Sequence, residues 1–291
     1  MVIDPEKVPM ARMHSLLLGS VIPRPIAFAS TVDSSGNVNL SPFSYFNCFG
    51  ANPPVLIFSP ARRGRDNTTK HTYENILEVP EVVIHIVNYP IVHQMSLAST
   101  EYPRGVDEFV KAGFTAIPSL KVKPPRVKEA PVAFECKVIQ VIPTGEKAGA
   151  GNLVICQVMM MHVHEDVLDD SGRIDPFKLD AVARLGGDFY CRVHGEAIFK
   201  IPKPLDKMGI GIDQLPSHIR SSKVLSGNDL GLLASVQELP QPTGFNDDAE
   251  KLAFQKALTS GTEAIHRLAH DYLEQGKTEQ AWIVLLSTSN E

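Results

Sequence analysis

The chain has 291 residues, 43% of them hydrophobic, enough to bury a sizeable core in one large domain or two smaller ones. A formal charge of −5 and a pI near 6.1 leave no electrostatic footprint for nucleic acid, and no window is apolar for long enough to span a membrane. Four cysteines (Cys48, Cys136, Cys156, Cys191) lie far apart with no Cys-x-x-Cys pair, so zinc-ribbon and thioredoxin readings have no support and free thiols in a reducing cytoplasm are expected. The N-terminus, Met1 to Glu6, lacks the basic start and apolar run of a signal peptide, which again predicts a cytoplasmic protein.

Met10, Met13, Leu16 and Leu17 have helical spacing and predict a helix over 9–18, with Gly19 as its stop. Pro23 and Pro25 forbid helix, and 26–32 reads as a strand. Asp33-Ser-Ser-Gly36 makes a hairpin turn, because Gly takes a positive φ cheaply and Asp and Ser bond their own backbone. The return strand runs over 38–49; Pro42 within it suits an edge or a bulge. A third strand covers 55–59. The basic, polar loop from Pro60 follows, up to Thr72, which reads as the cap of a short helix through Leu77. Hydroxyls, loop N–H groups and cations ahead of a helix start make an anion site; a solvated loop with a capping threonine is the plain alternative.

Further strands are predicted at 82–87, 132–142, 152–165 and 190–199, with helices at 91–100 and 106–111 and an extended surface segment at 118–131. Gly149-Ala-Gly151 lacks the third glycine of a dinucleotide fingerprint and precedes a strand, so a Rossmann site is rejected. No Walker A or Gly-x-Ser-x-Gly sequence is present. His162 and His164 share one strand face and could ligate a metal, but no third ligand is apparent, and no metal site is predicted. Met159-Met-Met161 reads as core filling. Arg184-Leu-Gly-Gly-Asp-Phe-Tyr190 lets backbone approach a ligand closely at Gly187 and offers an aromatic ring with a polar tip at Tyr190. Beyond Lys200 the chain turns helical: a proline-marked exit over 200–204, a short helix over 229–238 capped by Ser226 or Asn228, a linker over 240–244, a long amphipathic helix over 247–275, and a last helix over 278–286 around Trp282.

Arg24-Pro-Ile-Ala-Phe-Ala-Ser-Thr31, Gly36-x-x-Asn39-Leu-Ser-Pro-Phe-Ser44, Asn52-Pro-Pro54, Lys70-x-Thr72-x-x-Asn75, Asp107-Glu-Phe109 and Arg184-Leu-Gly-Gly187 stand in one order. That ordered set resembles the flavin reductase-like, FMN-binding split-barrel family, which includes flavoredoxin, over roughly residues 10 to 200. The resemblance implies a mainly β fold with some α: a six-stranded antiparallel split β-barrel with rim helices. It divides the chain into an FMN-binding domain over 1–200 and a helical C-terminal extension over 201–291. It implies FMN as cofactor and a homodimer with the flavin near its interface. Ser30, Thr31, Asn39, Leu40, Ser41 and Ser44 would serve the ring edge and ribityl chain, and Ser59, Arg62, Lys70 and Thr72 the phosphate; Arg24, Gly187 and Tyr190 complete the expected cofactor site. His71 stands where the family often carries Asp, and the loop over 60–67 is unusually basic. The implied activity passes a hydride or electrons from NAD(P)H through FMN to a flavin, another small molecule or a protein acceptor. A flavoredoxin-type electron carrier and a non-catalytic FMN-binding protein are the alternatives. No single catalytic side chain is expected, because the flavin carries the hydride chemistry.

Overall fold

The computed structural model describes residues 1–201, 208–241, 244–245 and 247–287. The chain divides into two compact units, Met1–Phe199 and Lys200–Glu291.

The first unit opens with α1 (Met10–Ser20), none of whose residues is buried. Strands β1 (Ala27–Val32), β2 (Val38–Phe43), β3 (Phe46–Ala51) and β4 (Pro54–Phe58) follow, then α2 (His71–Glu78) and β5 (Glu81–Ile86). Short helices α3 (Val92–Leu97) and α4 (Glu108–Ala112) lead to the two-residue strands β6 (Ala116–Ile117) and β7 (Arg126–Val127). The long hairpin β8 (Val132–Pro143) and β9 (Asn152–Val163) comes next, then α5 (Pro176–Leu179) and the pair β10 (Val182–Arg184) and β11 (Tyr190–Arg192).

The main sheet has seven strands in the order β2-β1-β5-β8-β9-β4-β3, every pairing antiparallel. The count differs from the expected six because the stretch 38–49 is two strands: Ser44 and Tyr45 break it after Phe43. β2 and β3 then lie at opposite edges of the sheet, although only those two residues join them. If the sheet were flat, its edge strands would stand about 29 Å apart, six spacings of ~4.8 Å. The Phe43–Phe46 connection reaches about 10 Å at most. The sheet must therefore curl until its edges meet, and among the described residues no ladder closes them. Bulges in the β8/β9 ladder, between Glu135 and Cys136 and between Val138 and Gln140, assist the curl. The segment over 190–199 does not join this sheet: only Tyr190–Arg192 is strand, paired to β10.

Strand period 2 explains the two cores. Ala27 and Ala29 of β1 face Phe43, Phe58, Ile84, Cys136 and Val154 inside the curl. Phe28, between them, packs outward with Met95, Phe109 and Phe114 beneath α3 and α4. β1 is thus buried on both faces, which is why it reads as a near-continuous apolar run. His85 of β5 is fully buried: its Nε2 accepts from the Val127 N–H (2.9 Å), so Nδ1 carries the proton given to the Phe28 carbonyl (2.8 Å). Burial pushes this imidazole down to about 4, and it stays neutral.

A second buried group pins the 118–127 loop. The fully buried Glu135 side chain accepts from the N–H groups of Leu120 (2.8 Å) and Lys121 (2.6 Å) and pairs with His162 Nε2 (2.7 Å). His162 is therefore spent on a carboxylate. Burial raises the Glu135 carboxyl, but the Leu120, His162 and Lys121 bonds outweigh it and hold it below the ordinary value. The folded pKa lies below the unfolded one, so the stabilisation is present above the unfolded carboxylate pKa of about 4.3 and is lost as pH falls through the folded value. Glu135→Gln is expected to lower stability by about 2–3 kcal/mol at pH 7 and to flatten the fall in stability below about pH 5. Urea melts across pH check this; equal slopes for the variant and the parent would refute it.

The second unit contains α6 (Ser217–Arg220), α7 (Gly227–Leu233), α8 (Asp248–Ser260), α9 (Thr262–Glu274) and α10 (Thr278–Leu286). Ser226 and Asp229 form a capping box on α7. The long helix expected over 247–275 is broken at Gly261, whose φ of +93° and ψ of 177° turn the chain; the apolar spacing carried on across the break and concealed it. Trp282 is buried with Leu233, Ile265, Tyr272 and Leu285. The exit over 200–204 and the linker over 240–244 fall partly outside the described residues. No helix among the described residues is long and apolar enough to cross a membrane.

Candidate functional site

The hairpin β1–β2, the start of α2 and the turn after α3 converge on a polar cleft lined by Asn39, Ser41, Arg63, Lys70, His71, Thr72, Ser99, Thr100, Glu101, Tyr102 and Glu108. Its free volume is small, about 20 Å³, little more than one water molecule needs and far too little for an aromatic ring system. Four residues anticipated from sequence meet here: Asn39, Ser41, Lys70 and Thr72. Asn39 Nδ2 donates to Thr72 Oγ1 (2.8 Å), tying β2 to the first turn of α2. Lys70 occupies the cap position of α2 and Thr72 lies one residue inside the helix, so Thr72 is not the cap; its hydroxyl is instead held by Asn39.

Two cations and two carboxylates line the cleft. Arg63 Nε lies 3.1 Å and Lys70 Nζ 3.2 Å from Glu101 Oε1, and Arg65 pairs with the same carboxylate. Burial lowers the His71 pKa below its ordinary value, so the ring is neutral at pH 7 and able to accept or donate one hydrogen bond. Glu108 is buried and accepts from the Leu40 N–H (3.0 Å); burial raises its pKa. Its carboxylate holds β2 in place at Leu40, whose side chain is in the outer core.

The remaining anticipated residues lie elsewhere. Thr31 Oγ1 accepts from Asn75 Nδ2 (3.2 Å) in the interior. Ser30 is fully buried on the same strand, and its hydroxyl has no protein partner among the described residues. Ser59 accepts from the Asn152 N–H (2.9 Å) at the far end of β4. Arg62 turns away from Lys70: its guanidinium donates to Asn67 Oδ1 (2.8 Å) and the Asn67 carbonyl (2.6 Å), and it lines a separate 280 Å³ pocket with Met10, His14 and Gly149. That pocket shares Met10, His14 and Gly149 with a wide groove of about 730 Å³ between α1 and the 144–150 loop, walled by Val8, Met13, Leu17 and Tyr45. A volume of that size is within the range of small-molecule sites.

Arg24 is 5% exposed, and its guanidinium is spent inside the protein. It donates to the carbonyls of Leu18 (2.5 Å), Val21 (2.8 Å) and Leu185 (2.9 Å) and lies 3.4 Å from Ser44 Oγ. Arg24 and Ser44 thus fasten α1 and the β10 segment to the sheet. Gly187 has a φ of +58° and accepts from Arg184, whose guanidinium stacks 4.6 Å from the Tyr190 ring.

Sequence reasoning missed Arg63 and the Ser99–Tyr102 turn. Arg63 was visible only as one of two adjacent arginines, Ser99 and Thr100 read as the end of a helix, and Glu101 and Tyr102 carried no signal.

The fit to a phosphorylated cofactor rests on the donor set. Two cations, the Thr72 and Ser41 hydroxyls and the Asn39 amide border this cleft and could serve an anionic phosphate. A profile described as "Flavin reductase like domain" matches residues 18–177. An uncharacterised protein of Halalkalibacterium halodurans is 37% identical over 206 residues, 70% of this chain and 97% of that protein. The crystal structure of nitrilotriacetate monooxygenase component B from Bacillus cereus is 34% identical with a TM-score of 0.64, covering 69% of this chain and 98% of that one. The 2-nitrobenzoate 2-nitroreductase of Pseudomonas fluorescens is 28% identical with a TM-score of 0.60, covering 75% of this chain and 99% of that one.

Proposed function

Because the chain belongs to the flavin reductase-like family, we propose that it binds FMN and passes reducing equivalents from NAD(P)H to a second acceptor, a free flavin, another small molecule or a protein. The observation that carries this reading is the convergence of Arg63, Lys70, Thr72, Asn39 and Ser41 on one cleft, where Glu101 holds the two cations. Lys70 and Arg63 would neutralise the phosphate, Thr72 and Ser41 would donate hydroxyls to it, and Asn39 would hold Thr72 in position. When bound, FMN supplies the hydride chemistry itself. The protein's share is to bind, orient and shield, so the lack of a catalytic triad is no obstacle.

One similar protein, the 2-nitrobenzoate 2-nitroreductase, is named for a reduction, which supports the reductase reading over the carrier. A homodimer is part of the proposal: the edge strand β3 exposes Phe49 (64%) and Cys48, and α1 exposes Met10 and Leu17, apolar surface that a second copy would cover.

The test is an absorbance spectrum of the protein loaded with FMN and desalted, followed anaerobically after addition of NADH and then NADPH. Retained flavin bands that bleach within seconds are the expected result and name the donor. Bands bleached by dithionite alone would make the protein an electron carrier. No retained flavin and no turnover of added FMN would overturn the reading.

A further inference from the structure

Glu101 is the one acid of the cleft whose carboxylate is shared among its cations. Arg63 and Lys70 reach the same oxygen at 3.1 and 3.2 Å, and Arg65 takes the other. The side chain is about one-third exposed, so water can reach it and it can swing out. Burial raises its carboxyl, but the bonds from Lys70 and Arg63 outweigh this and hold it below the ordinary value, ionised at pH 7. A carboxylate and a phosphate present the same kind of acceptor oxygens to the same donors. Glu108, the other carboxylate lining the cleft, is bonded to the Leu40 N–H and does not compete.

We propose that Glu101 is an internal competitor for the phosphate cradle, a residue that sets flavin affinity low enough for FMN to exchange rather than remain resident. The proposal rests on the FMN reading above and deepens it. Binding the phosphate means displacing Glu101 from Arg63 and Lys70 and leaving it as a like charge beside a dianion. Affinity for any phosphorylated flavin is reduced, while a flavin without a phosphate is indifferent to Glu101. A weakened grip suits a reductase that hands its reduced flavin to another protein, and it would be a defect in a fixed electron carrier. The opposing possibility is that Glu101 pre-orients the cations and assists binding.

The experiment titrates the full-length protein and Glu101→Gln with FMN and with riboflavin, following flavin fluorescence. Gln is isosteric and about one-third exposed here, and matching thermal melts of the two proteins establish that both are folded. The expected result is FMN binding about tenfold tighter in Glu101→Gln, with riboflavin binding changed by less than about twofold, since a like charge a few ångströms away in a half-wet cleft repels on that scale. Glu101→Asp, too short to reach all three cations, is expected to fall between. FMN affinity that is unchanged or weaker in Glu101→Gln overturns the inference and leaves the FMN reading standing, as does equal tightening of FMN and riboflavin. No FMN binding by either protein overturns both.

Discussion

Replacing Arg63 and Lys70 together by alanine is expected to weaken FMN binding by about a hundredfold and to leave riboflavin binding within about twofold. Hydrogen bonds to a charged group contribute about 1.5–3 kcal/mol each. The Arg63 side chain is 14% exposed and that of Lys70 30% exposed, so both lie in the partly wet regime, where screening pulls each contribution toward the lower end. Two such contributions come to about 3 kcal/mol, or about two powers of ten in Kd. Riboflavin is FMN without the phosphate, so it isolates the cradle from the ring contacts.

The two side chains are not equivalent. Arg63 also donates to Thr68 Oγ1 (2.9 Å) and to the Thr69 carbonyl, so its removal loosens the loop as well as the anion site. The Lys70 ammonium bonds only Glu101 among the described residues, and Lys70→Ala is the cleaner single variant, with an expected loss of about tenfold. Salt gives an independent readout. FMN affinity of the parent should fall as ionic strength rises, and that of the double variant should be nearly flat. A double variant that keeps parental FMN affinity would place the phosphate elsewhere, the Arg62 pocket being the next candidate.

Legibility followed how local each signal was. The β1–β2 hairpin was readable because Asp33 to Gly36 encode it locally: Asp33 accepts from the N–H groups of Ser35 and Asn37, and Gly36 takes a φ of +84°. The split between β2 and β3 was not, because nothing at Ser44-Tyr45 looks like a turn; the break is imposed by closure of the sheet, a property of the whole barrel. The cleft shows the same division. Lys70 and Thr72 are one helical turn's worth of sequence and were read together. Arg62 and Arg63 are adjacent in a loop without regular structure, where composition alone cannot say which faces the cleft. The structure turns Arg62 onto Asn67 and gives Arg63 to the cleft. Arg24 carried a family resemblance without a role, and its role became visible only when the carbonyls of Leu18 and Leu185 were seen to converge on it across 161 residues of chain.

Arg24→Ala is accordingly expected to act on stability before it acts on the cofactor. The buried guanidinium satisfies three carbonyls, from the C-terminal turn of α1, the turn after it and the loop following β10. The backbone of Arg24 also exchanges both hydrogen bonds with Arg184 at 2.9 Å, so the side chain completes a junction that the main chain has begun. Alanine leaves the carbonyls without a charged donor and leaves a void where water must enter. Losing a charged donor costs about 1.5–3 kcal/mol per bond, partly recovered by that water, so about 4 kcal/mol in total is reasonable. In a unit of this size that lowers Tm by about 10 °C. Arg24→Lys should recover less than half of the loss, because one ammonium cannot span carbonyls held by a planar fork. Far-UV circular dichroism melts measure the effect. If Arg24 instead served the flavin phosphate directly, Arg24→Ala would melt like the parent and lose FMN while keeping riboflavin. A low Tm together with riboflavin and FMN affinities that fall in parallel is the pattern of a junction residue, whose loss frees α1 and the 185–190 segment from the sheet.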